Sequence, residues 1–198
     1  MLQLIGADAL RHAALAGTAL LAAVCAALPL GLAAATGTLL RGPILAAAAF
    51  GRTLPSIAVL MLLLPILGVG TLPALAALVL LALPPLVINI DLAIRGVPPA
   101  MLDAARGIGM NARERFVRVV VPAALPVALS GVRIASVEVI GSATLATFVG
   151  AGGLGDDIVR ALQTDDGPLL LAGCIAVAAM AFFAELAFAR LAARAEMR

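Results

Sequence analysis

DAARGIGMNARERFVRVVVP, residues 103–122, is an island of charge in a sequence that is otherwise almost all apolar. Arg95, Asp103, Arg106, Arg113, Glu114, Arg115 and Arg118 lie in it or at its edge, with apolar runs on both sides. Asp-Ala-Ala reads as the opening of a short helix, with the acid near the positive end of the helix dipole. Gly107 and Gly109 then allow a tight turn. A second amphipathic piece, Arg113 to Val121, offers Phe116, Val117, Val120 and Val121 to one face. Pro122 is expected to close it. Such a knuckle of two short helices cannot lie in hydrocarbon, so something outside the membrane must meet it.

The flanks decide the fold class. Of 198 residues, 64% are hydrophobic and 12% charged, whereas a soluble domain carries roughly 25% charged residues. Residues 13–40 hold no charge, and neither do residues 53–90; each run exceeds the ~18–20 apolar residues that span a bilayer. Barrel strands would alternate in ~10-residue segments, and these runs are continuous. The chain therefore reads as an all-α polytopic membrane protein embedded in a lipid bilayer. Its spans are expected at about 13–35, 44–67, 72–94, 126–149 and 168–189. A polar lead, 1–12, precedes them, and the charged loop 95–122 and a loop 150–167 join them.

Several residues inside the spans break the apolar pattern. Arg52 falls about two turns into the second span, before Thr53-Leu54-Pro55-Ser56. A proline there frees a carbonyl that Thr53 or Ser56 can satisfy. Arg52 either stands beside a solute pathway or snorkels to the near interface. Pro84-Pro85 should kink the third span, with Asn89 next and Asp91 spaced to pair with Arg95. In the fourth span, Arg133 and Glu138 point about 140° apart and are not a clean pair. Glu138 is a pathway carboxylate, or one paired with Arg133 or Arg52 from a neighbouring element, or a buried anchor. Ser142 and Thr144 continue a series of small residues that permits close helix approach. Glu185 is expected to pair with Arg190.

Other features carry no chemistry. Gly150-Ala-Gly-Gly-Leu-Gly155 matches G-x-G-x-x-G but follows a span rather than a strand. It reads as a flexible turn before an amphipathic piece, Ile158–Leu162. His12, the only histidine, is expected at the membrane interface without a role. Cys25 and Cys174 read as small buried hydrophobes. No metal-ligand cluster, catalytic constellation or cleavable leader is evident. The net charge of +2 is divided among separate loops and implies no nucleic acid.

Arginine placement sets the topology. Arg41, the charged island and the C-terminal Arg190, Arg194 and Arg198 fall on one side. The loop between spans four and five has only Arg160 against four aspartates. By the positive-inside rule the island and the C-terminus are cytoplasmic and the N-terminus is outside.

The island resembles the EAA loop of ABC importer permeases. Asp103, Ala104, Ala105, Gly109, Val119, Val121 and Pro122 stand at that loop's spacing, with Asp for Glu and Val for Ile and Leu. Beyond it, the chain resembles the osmoprotectant branch of type I importers. The stretches are Thr53-Leu-Pro-Ser-Ile-Ala, residues 64–70, Asn89, Ile94-Arg-Gly-Val, Asp103–Met110, Leu125–Arg133, Ser142–Ala146 and Val149–Asp156.

The resemblance implies a five-helix permease core that moves glycine betaine, choline or carnitine by alternating access. It also implies an ABC ATPase dimer that binds ATP and Mg, a second permease subunit, identical or paralogous, and an external solute-binding protein. Asp103, Ala104, Ala105, Gly107, Gly109, Arg113, Phe116 and Pro122 are then ATPase-coupling residues, and no cofactor or catalytic residue belongs to this chain. The pathway candidates are Arg52, Pro55, Ser56, Asn89, Glu138, Ser142 and Thr144. The chain has no Trp and no Tyr, so the aromatic cage that usually holds quaternary ammonium is expected on the binding protein. Alternatives are a permease for methionine or another amino acid, an ion-coupled carrier using Glu138 and Arg133, and a non-transporting scaffold.

Overall fold

The computed structural model describes residues 2–196, all in helices or their connections. Arg198, part of the expected basic tail, lies outside the described residues. The elements are α1 (Leu2–Thr36), α2 (Thr38–Gly51), α3 (Ser56–Leu67), α4 (Thr71–Arg95), α5 (Pro99–Gly107) and α6 (Ala112–Arg115). A π-helical turn (Phe116–Val120) joins α6 to α7 (Val121–Ala143). A 3₁₀ turn (Thr144–Val149), α8 (Leu154–Thr164) and α9 (Gly167–Glu196) complete the chain.

Helix α4 is the centre. α1 and α7 lie against it, and α9 lies against α7. The buried stripe of α1 is Ala16, Ala19, Ala23, Ala27, Gly31 and Ala34. Lipid tails are as apolar as leucine, so helices in a bilayer associate through close backbone approach rather than through hydrophobic burial. Two glycines set that approach. A Cβ on Gly31 would stand 2.5 Å from Cγ2 of Ile90, and one on Gly131 would stand 2.6 Å from Cβ of Asn89. α1 and α7 thus clamp α4 from two sides.

Three expectations about the elements are corrected. Residues 2–12 are no separate polar lead but the first turns of α1, which runs unbroken to Thr36. The second span is not merely kinked: α2 and α3 meet at 100° across Arg52–Pro55. Pro55 has no N–H and forces Leu54 towards an extended conformation. The Thr53 hydroxyl donates to the carbonyl of Phe50 at 2.7 Å, alongside the Thr53 N–H at 2.9 Å, and the Gly51 carbonyl, which Pro55 cannot serve, accepts from the Leu54 N–H at 3.3 Å. Pro122 does not end the knuckle either. Residues Ala112–Val149 form one 38-residue helical rod. The π turn, where the N–H of Val121 reaches the carbonyl of Phe116, widens the helix just where the proline must fit. Cys25 and Cys174 are free and exposed rather than buried.

The turn 150–155 is not flexible. Ala151, Gly152, Gly153, Leu154 and Gly155 are all buried. Gly152 lies under the guanidinium of Arg11, and Gly153, at φ 95, lies against His12. A Cβ on Gly155 would come within 2.1 Å of the carbonyl oxygen of Thr144. Gly155→Ala is therefore expected to cost about 1–3 kcal/mol and lower Tm by roughly 3–10 °C. Gly167→Ala, with nothing within 4 Å of its Cβ, should leave it unchanged. Thermal melts of the two variants in detergent check this.

Candidate functional site

The charged knuckle closes one end of the bundle. Pro98-Pro99 starts α5, with Pro99 in the first turn where its missing N–H is harmless. Asp103 therefore lies one turn into α5 rather than at its opening, and pairs with Arg106 at 2.9 Å. Both side chains are well exposed, so this pair contributes little to stability. Ala105 is buried beneath them, while Ala104 and Gly107 are exposed. Gly109 turns the chain at φ 80, in the left-handed region that L side chains rarely adopt.

Asn111 then caps α6. Its side chain accepts from the Glu114 N–H at 3.0 Å, and Glu114 accepts from the Asn111 N–H at 3.0 Å. This reciprocal box was readable as Asn-x-x-Glu, although the sequence reading passed over it. Arg113 is exposed, Phe116 is half-buried at the start of the π turn, and Pro122 is exposed. Ile108 was also missed. It lies between Gly107 and Gly109 and is 75% exposed at the tip. The visible signal was a large apolar residue between two glycines.

The pathway candidates divide. Arg52 and Pro55 are exposed at the break, and Ser56 opens α3. Glu138 projects from α7, and Arg52 is the cation whose charge reaches it. Ser142 stands one turn beyond Glu138 on the same side of the helix. Thr144 donates to the Gly141 carbonyl at 2.7 Å. Asn89 is not with this group: its amide donates to the Pro85 carbonyl at 2.8 Å, and its Cβ lies under Gly131.

Three polar partnerships differ from those expected. Asp91 pairs with Arg41 rather than Arg95, and Arg95 donates to the Ala35 carbonyl at 3.2 Å, tying the ends of α4 and α1. Glu185 meets Arg133, at 3.2 Å, rather than Arg190. His12 is fully buried, its Nε2 3.0 Å from the Ile140 carbonyl. It joins α1 to α7 instead of resting at the interface. All of these contacts join residues far apart in the chain.

Residues 27–197 match the family model described as "Binding-protein-dependent transport system inner membrane component". The chain belongs to this family. The permease is 41% identical over 140 residues to the carnitine transport permease protein OpuCB of Listeria monocytogenes, covering 71% of this chain and 64% of that protein. It is 34% identical over 166 residues to the glycine betaine/carnitine/choline transport system permease protein OpuCB of Bacillus subtilis, covering 84% and 76%. It is also similar to the choline transport system permease protein OpuBB of Bacillus subtilis, 36% identical over 170 residues, covering 86% and 78%. The chain thus spans just under two thirds of the first relative and about three quarters of the other two. In fold it is similar to a chain of the inward-facing MetNI methionine ABC transporter. The TM-score is 0.86 at 19% identity, over 98% of this chain and 97% of that one. The fold is that of a type I ABC permease.

At the end opposite the knuckle, the N-terminal part of α1 meets α8. The Thr147 hydroxyl donates to Asp156. Asp157 is 1% exposed, its Oδ1 lies 3.6 Å from Arg160, and its Oδ2 has no hydrogen-bond partner. Burial first, then the carboxylate of Asp8, pushes the Asp157 carboxyl above its ordinary value, against the pull of Arg160. A carboxyl raised in the folded state contributes stability at low pH and loses it as pH rises through the folded value. Asp157→Asn should abolish that loss, so its Tm should gain on the wild type as pH rises above about 4, the ordinary carboxylate value. A pH series of melts that keeps the two proteins parallel would contradict this.

Proposed function

We propose that this permease forms the translocation route for a quaternary-ammonium compatible solute, with glycine betaine, choline and carnitine as the candidates. The reading rests on its likeness, over most of its length, to permeases named for those solutes. Import is driven by a separate ATPase pair holding ATP and Mg, a second permease completes the route, and an external binding protein delivers solute. Arginine placement puts the knuckle and the C-terminus in the cytoplasm and the N-terminus outside. The absence of Trp and Tyr agrees with leaving high-affinity recognition to the binding protein.

The knuckle is the coupling surface. The exposed Asp103–Arg106 pair, Ala104, Gly107, Ile108 and Arg113 face outward to be gripped. Ala105, Phe116 and the π turn behind them carry displacement into the rod that ends in the 3₁₀ turn. Pro122 lets the rod continue. On the route itself, the break at Arg52–Pro55, with Ser56 and Glu138, supplies charges of opposite sign beside irregular backbone, which at membrane depth is tolerated where it lines a cavity. Ser142 and Thr144 continue that face, and Asn89 supports it from behind.

Two measurements test the reading. In vesicles holding the permease, its ATPase and its binding protein, ATP-dependent uptake of betaine, choline or carnitine is expected; uptake of methionine alone would overturn the solute class. Gly109→Val forces a β-branched residue to φ 80, a strain of about 1–3 kcal/mol, and should cut uptake about tenfold in complexes that still assemble. Wild-type uptake and ATP hydrolysis together in that variant would refute the coupling role.

A further inference from the structure

The bundle holds two interhelical ion pairs of opposite construction. Arg41 grips Asp91 as a fork, Nε and Nη2 each 3.1 Å from its own carboxylate oxygen, and the Asp91 side chain is 2% exposed. That pair is saturated and lies near the ends of α2 and α4, where it locks one to the other. Arg133 and Glu185 touch differently. Nε lies 3.2 Å from Oε1 but has no partner in hydrogen-bond geometry. The side chains are 38% and 41% exposed. Arg133 is near the middle of α7, and Glu185 is well inside α9.

Half-exposed charges at mid-span are not left facing lipid; they turn towards protein or a water-filled cavity. In a permease that cavity is the solute route. The outward face of α7, with Ile134 and Gly141 exposed and Ser130 half-buried, lies between Arg133 on one flank and Glu138 on the other, because these two project about 140° apart. On α9, Phe182 stands three residues before Glu185 on the same side and is 59% exposed. A cation and a carboxylate therefore border one face, and an exposed aromatic ring stands one turn from Glu185 on α9.

We propose that Arg133 and Glu185 form a reversible site for zwitterions on the translocation route and set the preference for zwitterions over simple cations. In the empty state the two side chains satisfy each other. When solute arrives, its carboxylate replaces Glu185 on the guanidinium of Arg133. Its quaternary head moves to Glu185 and the ring of Phe182. The exchange is charge-neutral: a pair and a zwitterion enter, and two mixed pairs result, with no charge stranded at mid-span. A cation without a carboxylate gains Glu185 but leaves Arg133 unpaired beside it, and so passes less readily. In the Arg41–Asp91 fork both carboxylate oxygens are bonded and Asp91 is buried, so it offers no carboxylate for such an exchange. This inference rests on the osmoprotectant reading above.

The test uses vesicles holding the whole importer and compares initial uptake of glycine betaine and carnitine with that of choline. Arg133→Gln should lower the betaine-to-choline ratio about tenfold, the worth of one charge-assisted hydrogen bond. The reversed pair Arg133→Glu with Glu185→Arg should recover the wild-type Tm without recovering the ratio. Equal slowing of all three solutes by Arg133→Gln, with full recovery in the reversed pair, would mean that the pair is only a clasp between α7 and α9. If Arg133→Gln does not assemble, Arg133→Met removes the charge while keeping the apolar stem that packs beside α9. An unchanged ratio there overturns the site. Wild-type vesicles that import none of the three remove the osmoprotectant reading and this site with it, whereas wild-type import with an unaltered ratio in the variants removes the site alone.

Discussion

Close approach of α1 and α7 to α4 is the constraint on which the rest of the bundle depends. In hydrocarbon there is no water to drive apolar faces together, and contact must be won by fit. Gly31 against Ile90 and Gly131 against Asn89 provide it, with a line of alanines along α1. Because α4 is enclosed on both sides, it can carry features that an exposed membrane helix could not. Pro84 and Pro85 are buried in its middle, and Asp91 is 1% exposed near its end, where Arg41 neutralises it.

The same clamp sorts the remaining charges. α7 turns its small residues to α4, so its longer polar side chains, Arg133 and Glu138, emerge along the edges of the contact. Arg133 meets α9, and Glu138 meets the field of Arg52 at the α2–α3 break. A helix interrupted at mid-depth exposes carbonyls and amides that hydrocarbon will not tolerate. Under the proposed function, the break and the half-exposed charges belong to one side of the subunit, the side that would line the solute route.

How much of this was legible depended on the range of the interaction. Uninterrupted apolar runs marked α1, α4 and α9, because a bilayer demands length and little else. The alternation of charge and glycine from Asp103 to Pro122 marked the knuckle, since every feature there is set by neighbours a few residues apart. Pro55 after Arg52 announced a disturbance but not its size: a proline fixes one angle, and the packing of both halves decides the bend. Pro122 misled for the opposite reason, since a π turn just before it absorbed the missing hydrogen bond. Partners such as Arg41 with Asp91, Arg133 with Glu185 and His12 with the Ile140 carbonyl were invisible. They join residues that no local period relates. The glycine turn looked loose because glycine usually is; here it is a mould around Arg11 and His12.

The unbroken run from Ala112 to Val149 has a mechanical meaning. At 1.5 Å per residue it is a beam of about 57 Å, roughly twice the hydrocarbon thickness. Tilting such a beam by about 5° about one end carries its far tip through about 5 Å, comparable to one helical turn. Amplification of that kind needs no relay of side chains, only stiffness, and a small stroke at the knuckle suffices to displace the opposite end of the rod.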